Sequence, residues 1–327
     1  MKDPLVSIGI PTWNRGHFLK EVIDSVTRQT YSNLEIIICD NASTDCTAEI
    51  VRGIKDDRIR YFRNDRNIGQ FPNWNLCLAK ANGRYFKILQ SDDKLAIEFL
   101  AKTVPILEAN HSISIVLTGQ RLFGDKQELG LWTGIPMGET CVLRGEERFL
   151  ALKSLGFTVQ PTLNIYPRDL ARVLGGYSSK SSQSLSADFV LWTRLLSTGD
   201  VAIINAPLAY QRIHSAQERR CTDTTGALED VLDTMMWLAH EHPESGIVKK
   251  VCRTMTLEWS EAYLWYGLKA AMNGRLRICR KVLGILYSHG LLPAAGRRWA
   301  LNSPFFLKER IFPKRSRPGN LHGLYPK

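Results

Sequence analysis

Residues 5–40 read LVSIGIPTWNRGHFLKEVIDSVTRQTYSNLEIIICD, and their reading decides the fold. The opening piece, LVSIGIPTW, is a short apolar run that ends in a proline turn, which predicts a strand. In HFLKEVIDSVTRQ, the residues Phe18, Leu19, Val22, Ile23 and Val26 recur at the helical period and share one face. LEIIICD is a continuous β-branched run, the pattern of a strand covered on both faces. Strand, helix and buried strand in succession make a βαβ unit, with parallel strands and a right-handed crossover.

The same alternation continues outward. TDCTAEIVRGI (44–54) predicts a short capped helix, RIRYFRND (58–65) a strand, PNWNLCLAKAN (72–82) a helix opened by a proline, and GRYFKILQ (83–90) a strand. Then come a helix in AIEFLAKTVPILEAN, a strand in SISIVLTGQRLFG and a loop-rich stretch over 124–145. GEERFLALKSLG predicts a helix. TLNIYPRDLARVLGGY predicts a strand and a helix ending at Gly175 and Gly176. ADFVLWTRLLSTG is amphipathic, and VAIINAPLAYQRIH reads as a strand pair broken by Pro207. From about Thr224 the pattern is helical, and the last stretch is basic, aromatic and proline-punctuated.

Composition narrows the class. A chain of 327 residues suits one large domain, or one domain with a helical appendage. No run approaches the roughly 18 to 20 apolar residues that a membrane span needs. The N-terminus lacks a charged-then-apolar leader, which predicts a cytoplasmic location. The seven cysteines are odd in number and form no C-x-x-C pair, which argues against a zinc knuckle and a disulfide framework. The net charge of +11 is uneven. Residues 243–327 hold sixteen Lys and Arg against four Asp and Glu, so the rest of the chain is close to neutral. Such a tail suits anionic lipid, nucleic acid or an acidic partner.

Ligands of open parallel sheets bind outside the carboxyl ends of the strands. Three polar clusters follow predicted strands and would project to that edge: PTWNR (11–15), DNASTD (40–45) and QSDD (90–93). Asp92 and Asp93 suit a hard divalent cation, which takes carboxylate oxygens together with substrate phosphate. Paired aspartates ahead of a helix serve equally as a cap. Asp40 suits a nucleobase or ribose, or else an Asx turn. Asn67-Ile68-Gly69 suits a tight turn, where Gly69 lets backbone approach a ligand. Asp188 stands at the mouth of a helix, either as a general base or as a complement to the helix dipole. Arg212 and His214 alternate as they leave a strand, so they share one side. A histidine there ligates a metal, pairs with phosphate, or does neither.

In order, spacing and residue type these clusters resemble a glycosyltransferase of family 2, with GT-A architecture. The pieces VSIGIPTWNRGHFLKEVIDSVTRQTYSNLEIIICDNASTDCTAEIV, NIGQFPNWNLCLAKANGRYFKILQSDDKL and GGY…ADFVLWTRLLSTGDVAIINAPLAYQRIHS carry the resemblance, over about residues 5–215. It implies a Rossmann-like, mostly parallel sheet with flanking helices in residues 1–222. A nucleotide-sugar half would cover about 1–118 and an acceptor half 119–222, with a basic helical extension in 223–327. It implies transfer of a sugar, with inversion, from a nucleoside diphosphate donor to an acceptor hydroxyl, in surface polysaccharide or lipid-linked glycan synthesis. A UDP-sugar is the donor expected, with thymidine or guanosine diphosphates as alternatives, and Mn2+ or Mg2+ is the cofactor. By that resemblance Pro11, Thr12, Asn14 and Arg15 border the nucleotide, Asp40 holds the base, and Asn67 and Gly69 line the donor pocket. Asp92 is the chief metal ligand with Asp93 beside it, His214 is a second ligand, and Arg212 faces the diphosphate. Asp188 matches the general base.

Two departures stand out. Gln90 replaces the first carboxylate of the metal motif, and Ala187 stands where many members carry Glu. A degenerate fold acting as a glycan-binding scaffold is therefore the competing reading. A nucleotidyltransferase would carry a glycine- and lysine-rich first loop, which PTWNRGHFLK lacks. No nucleic-acid motif appears, so no nucleic-acid partner is expected. The basic tail suits peripheral contact with the inner face of an anionic membrane, or else packs as a helical cap.

Overall fold

The computed structural model describes residues 3–124, 128–132, 140–145, 148, 161–178, 186–213 and 224–295. The chain divides into two compact units, one of residues 1–183 with 187–214, the other of 184–186 with 215–327.

The first unit opens as the alternation dictates. Its elements are β1 (Val6–Thr12), α1 (Gly16–Thr27), β2 (Leu34–Asp40), α2 (Thr47–Gly53), β3 (Ile59–Arg63), α3 (Gln70–Lys80) and β4 (Tyr85–Ile88). These strands lie in the order β3-β2-β1-β4, and every pair is parallel. All of β1 and β2 is buried, as continuous apolar runs require. Strand alternation sends the side chains to two cores. Ile36 and Ile38 join Leu19, Val22 and Ile23 of α1 on one face. Ile37 and Cys39 join Trp74 and Cys77 of α3 on the other.

The chain then adds β5 (Lys94–Leu95), α4 (Phe99–Ala109), β6 (Ile113–Phe123), β7 (Glu128–Trp132), β8 (Thr140–Leu143), β9 (Asn164–Pro167), α5 (Arg168–Val173), α6 (Ala187–Thr198) and β10 (Asp200–Arg212). The sheet continues β4-β9-β6-β10-β5, with β9 antiparallel to both neighbours and β10 parallel to β6. The result is a ten-stranded mixed sheet whose long strands are mainly parallel.

Two expectations are corrected. The strand pair around Pro207 is one strand, β10, whose register slips on both sides of the proline. Proline has no N–H to donate, and the irregularity removes the ladder bond it would owe. Asp92 and Asp93 do not cap a helix. The short β5 follows them at once, and α4 starts at Phe99 with Glu98 in its N-cap position. The helix expected in GEERFLALKSLG lies, apart from Gly145 and Arg148, outside the described residues.

The second unit contains α7 (Thr224–Glu241), α8 (Gly246–Met272) and α9 (Leu276–Ser288). Leu228 and Leu232 of α7, Leu264 of α8, and Val282, Ile285 and Leu286 of α9 form its apolar core. Among the described residues no helix is long and apolar enough to cross a membrane.

Candidate active site

The carboxyl edge of the sheet is organised by three loops that hydrogen-bond one another. Strand β1 ends at Thr12 opposite Asp40, the end of β2. Beyond Thr12, Asn14 adopts φ +50°, a left-handed conformation that asparagine tolerates. That turn lets the Asn14 N–H donate to Ser43 Oγ at 2.9 Å, while Asn14 Oδ1 accepts from the Thr44 N–H at 2.8 Å. The first N–H of α1, from Gly16, donates to Asp45 Oδ2 at 2.9 Å. Burial opposes the charge on Asp45, but the Thr47 hydroxyl and the Gly16 N–H outweigh it and lower its pKa. Pro11 is buried within β1, and Arg15 is half-buried in the N-cap position of α1. Among the described residues the buried hydroxyl of Thr12 has no hydrogen-bond partner.

Asp40 lies beneath this edge rather than on it. Its carboxylate is fully buried and accepts from the Ser43 N–H at 2.9 Å and the Tyr61 hydroxyl at 2.6 Å, with Arg63 Nε at 3.5 Å. The expectation that Asp40 itself holds a base therefore meets a carboxylate already committed to the turn. Asn41, which sequence reasoning passed over, is the hub of the third loop. Its amide donates to Asn67 Oδ1 at 2.7 Å and to the Gly69 carbonyl at 3.1 Å. Its carbonyl oxygen accepts from the Ile68 N–H at 2.9 Å and from Asn64 at 3.0 Å. Gly69, at φ +92°, makes the turn that a side chain would strain.

Asp92 and Asp93 follow β4 and play different parts. Asp93 is buried, 1% exposed, and accepts from the Arg212 backbone N–H at 2.9 Å and from the Thr162 hydroxyl. Asp92 is half-buried, and its backbone carbonyl accepts from Arg212 Nε at 3.0 Å. The Arg212 guanidinium is paired with Glu21 of α1 and lies 4.5 Å from the Phe18 ring centroid and 4.4 Å from that of Phe123. It thus clamps the aspartate turn to α1 and the end of β10. Lys87 of β4 completes the network. Fully buried, it donates to the Thr162 and Asn164 carbonyls and sits 4.3 Å from the Phe99 ring centroid. Burial holds its pKa well below the usual lysine range, against the pull of Asp93. The signal for Lys87 was in the sequence, as one cation inside the apolar run YFKIL. Glu21 left no such signal.

Asp188 reaches the same edge by topology. Helix α6 leads directly into the start of β10, which runs parallel to β6, so its C-terminus lies at the amino edge of these strands. Its first turn, with Asp188, is therefore at the carboxyl edge. The helix is anchored by Arg194, which donates to the Leu174 carbonyl and to Ser178 Oγ, both at 2.9 Å. Asp188 is half-buried, and its Oδ1 accepts from the Phe189 N–H at 2.7 Å. Nearby Tyr177 packs edge-on against Trp74, with ring centroids 5.1 Å apart, and its hydroxyl lies 2.5 Å from that of Tyr166. Burial first, then Tyr166 and the charge of Asp188, push the Tyr177 phenol well above its ordinary value. Ala187 is buried in the apolar core, so the neutral neighbour of Asp188 is a packing residue here. His214 lies outside the described residues. Among the described residues no three His, Cys, Asp or Glu side chains are grouped to hold a metal ion.

The fold matches solved glycosyltransferases. TarS of Staphylococcus aureus, in a complex with UDP-GlcNAc, superposes with a TM-score of 0.68 at 15% identity, covering 90% of this chain and 82% of that one. A mannosyltransferase from Pyrobaculum calidifontis, in complex with GDP-Man and Mn2+, superposes with a TM-score of 0.59 at 17% identity, covering 95% and 84%. The architecture is GT-A, a mixed sheet with flanking helices and additional C-terminal helices. The sequence model of glycosyl transferase family 2 matches residues 7–174, and the chain belongs to that family.

Curated relatives agree over about a third of the chain. An uncharacterised glycosyltransferase of Haemophilus influenzae is 37% identical over 115 residues, which are 35% of this chain and 46% of the relative. The abequosyltransferase RfbV of Salmonella typhimurium is 40% identical over 114 residues, 33% of this chain and 34% of the relative. An Escherichia coli enzyme, WfaP, named as a UDP-Glc:alpha-D-GlcNAc-diphosphoundecaprenol beta-1,3-glucosyltransferase, is 38% identical over 104 residues, 32% and 41%. In each of these the chain spans less than half of the relative's length.

Proposed function

We propose that this chain transfers a sugar, with inversion, from a UDP-sugar to an acceptor hydroxyl in surface polysaccharide or lipid-linked glycan synthesis. The observation that carries this reading is the half-buried Asp92 on a turn locked by Asp93 and Arg212, at the edge where the Thr12 hydroxyl is left without a partner. Family membership supports the reaction class. The UDP-GlcNAc complex of TarS supports the uridine donor, and the diphosphoundecaprenol-linked substrate of WfaP supports a lipid-linked acceptor.

Each residue then has a task. Thr12 and the 12–16 turn hold the nucleoside, while Asn41, Asn67 and Gly69 shape the donor loop. Asp40 orders the base-side turn from beneath. Asp92 is a hard oxygen donor of the kind that Mn2+ or Mg2+ takes together with phosphate oxygens, and His214 is proposed as its companion. A bound cation there would supply charge neutralisation of the leaving diphosphate. Arg212 holds the metal turn in place and adds positive potential beside it. Asp188 accepts the acceptor proton and directs the oxygen to the anomeric carbon from the far face. Displacement in one step inverts that carbon and needs no covalent enzyme intermediate.

The test is UDP calorimetry with and without Mn2+, on wild type and Asp92→Ala. Mn2+-dependent binding that the mutant loses is the expected result. Binding indifferent to both metal and mutation removes Asp92 from the donor site. Tight UDP binding with no transfer to any sugar acceptor favours the scaffold alternative.

A further inference from the structure

The apolar layer beneath α6 contains polar groups that the fold itself leaves unused. Phe86, Leu117, Leu191 and Ile203 belong to this layer, and so does the ring of Trp192. Yet the Trp192 indole N–H is buried with no hydrogen-bond partner among the described residues. The same holds for both the nitrogen and the oxygen of the Asn205 side-chain amide. Asn205 is 2% exposed and Trp192 6%.

Topology brings these two residues toward Asp188. Along β10, Val201 and Ile203 face the α6 layer, while Ala202 and Ile204 face the other core. Alternation then turns Asn205 to the side of Trp192. The chain reverses at Gly199, between α6 and β10. From there Asp188 is eleven residues back and Asn205 six ahead. Those steps span about 16 Å of helix and about 20 Å of strand, so the two residues stand at similar depth near the carboxyl edge. Trp192 follows Asp188 by one helical turn, and helical side chains tilt toward the N-terminus, which carries the indole to the same level. Asn205 also marks a break in the sheet. Strand β8 flanks β10 up to Ile204, β5 flanks it from Ala209, and the register with β6 slips between Ile204 and Pro207. Such irregularities re-aim side chains beside active sites.

A buried amide without hydrogen bonds lowers stability, whereas an apolar side chain in its place would not. Unsatisfied buried groups in native structures therefore call for a bound molecule or a catalytic role. We propose that Asn205 and Trp192 recognise the acceptor sugar, binding a neutral group next to the hydroxyl that Asp188 activates. This rests on the transferase reading above. Asn205 Nδ2 and Trp192 Nε1 donate, and Asn205 Oδ1 accepts. The group they meet must both accept and donate, as a sugar hydroxyl or an acetamido group does and a carboxylate or phosphate does not.

The experiment is saturation-transfer NMR on the full chain with UDP and Mn2+, titrated with the methyl glycosides of glucose, galactose, N-acetylglucosamine and glucuronic acid. At least one neutral glycoside is expected to bind wild type, and the glucuronide is not. Preference for the glucosaminide over the glucoside identifies the acetamido group, and the reverse a hydroxyl. Asn205→Ala and Trp192→Phe are each expected to weaken that binding about tenfold, with UDP titration unchanged. Because both side chains meet one group, the double variant should lose less than the product of the two effects. Asn205→Ala should melt with wild type or above it. Variants that bind the glycosides as wild type does overturn the proposal. So does a lower melting point of Asn205→Ala with glycoside binding intact, which assigns the amide to a buried water alone. Failure of every neutral glycoside to bind a wild type that binds UDP overturns it as well. A wild type that binds glycosides as expected but not UDP refutes the donor site instead and upholds this inference.

Discussion

Asp93 accepts a hydrogen bond from the backbone N–H of Arg212 at 2.9 Å, joining the end of β4 to the end of β10 across 119 positions of sequence. This bond separates the paired aspartates by role. Asp93 faces inward, to Thr162, Arg212 and the field of Lys87, while Asp92 stays half-buried at the edge. Replacing Asp93 by Ala should cost about 3 kcal/mol, since it leaves the buried Arg212 N–H and Thr162 hydroxyl without their acceptor. Asp92→Ala should stay within about 1 kcal/mol of wild type and lose Mn2+-dependent UDP binding. Urea denaturation beside calorimetry separates the two, and equal stability losses would refute the division.

Thr12 offers an inverse test. Its buried hydroxyl lacks a partner, so Thr12→Val removes an unsatisfied group and should leave stability unchanged or raise it by up to about 1 kcal/mol. If the hydroxyl serves the nucleotide, the same variant should bind UDP about tenfold more weakly. Thermal melts with calorimetry check both, and unaltered UDP affinity would take Thr12 out of the donor site.

Asp188 should affect turnover alone. Asp188→Asn keeps an acceptor for the Phe189 N–H and should melt with wild type. UDP affinity should hold within about twofold, while sugar transfer falls about a hundredfold or more. A variant with full transfer activity would move the base elsewhere.

Glu35 contributes to the acid limit of stability. Burial works against its charge, yet the Ser7 hydroxyl, the Asn82 N–H and Arg60 together depress its pKa. A carboxylate with a depressed folded pKa contributes stability that is complete above the unfolded value of about 4.3, and that is lost as pH falls through the folded value. Glu35→Gln should therefore cost about 1–2 kcal/mol near neutrality and flatten the acid side of the stability profile. Urea midpoints measured from about pH 6 down to about pH 3 read this directly. A variant as steep as wild type would exclude Glu35 as the source.

The sequence by itself determined the βαβ alternation, the inward stripe Leu19, Val22, Ile23 and Val26, and the carboxyl edge where the polar clusters gather. Those features are written in short-range periodicity, because burial of an apolar face depends on neighbours three, four or two residues away. The basic bias of the C-terminal quarter was equally plain as composition. Only the tertiary structure decided which polar residues stay at the edge and which support it from beneath. Asp40 and Asp93 look like ligands in a linear reading, yet Tyr61, Thr162 and the Arg212 backbone meet them from distant segments. Asn41 and Glu21 acquire their parts the same way, through bonds to Asn67 and Arg212. The insertion of β9 between β4 and β6, and the passage of β10 through Pro207, were likewise beyond local pattern. Hydrogen bonds and ion pairs between remote segments depend on how the sheet brings chain ends together, and no local periodicity encodes that distance.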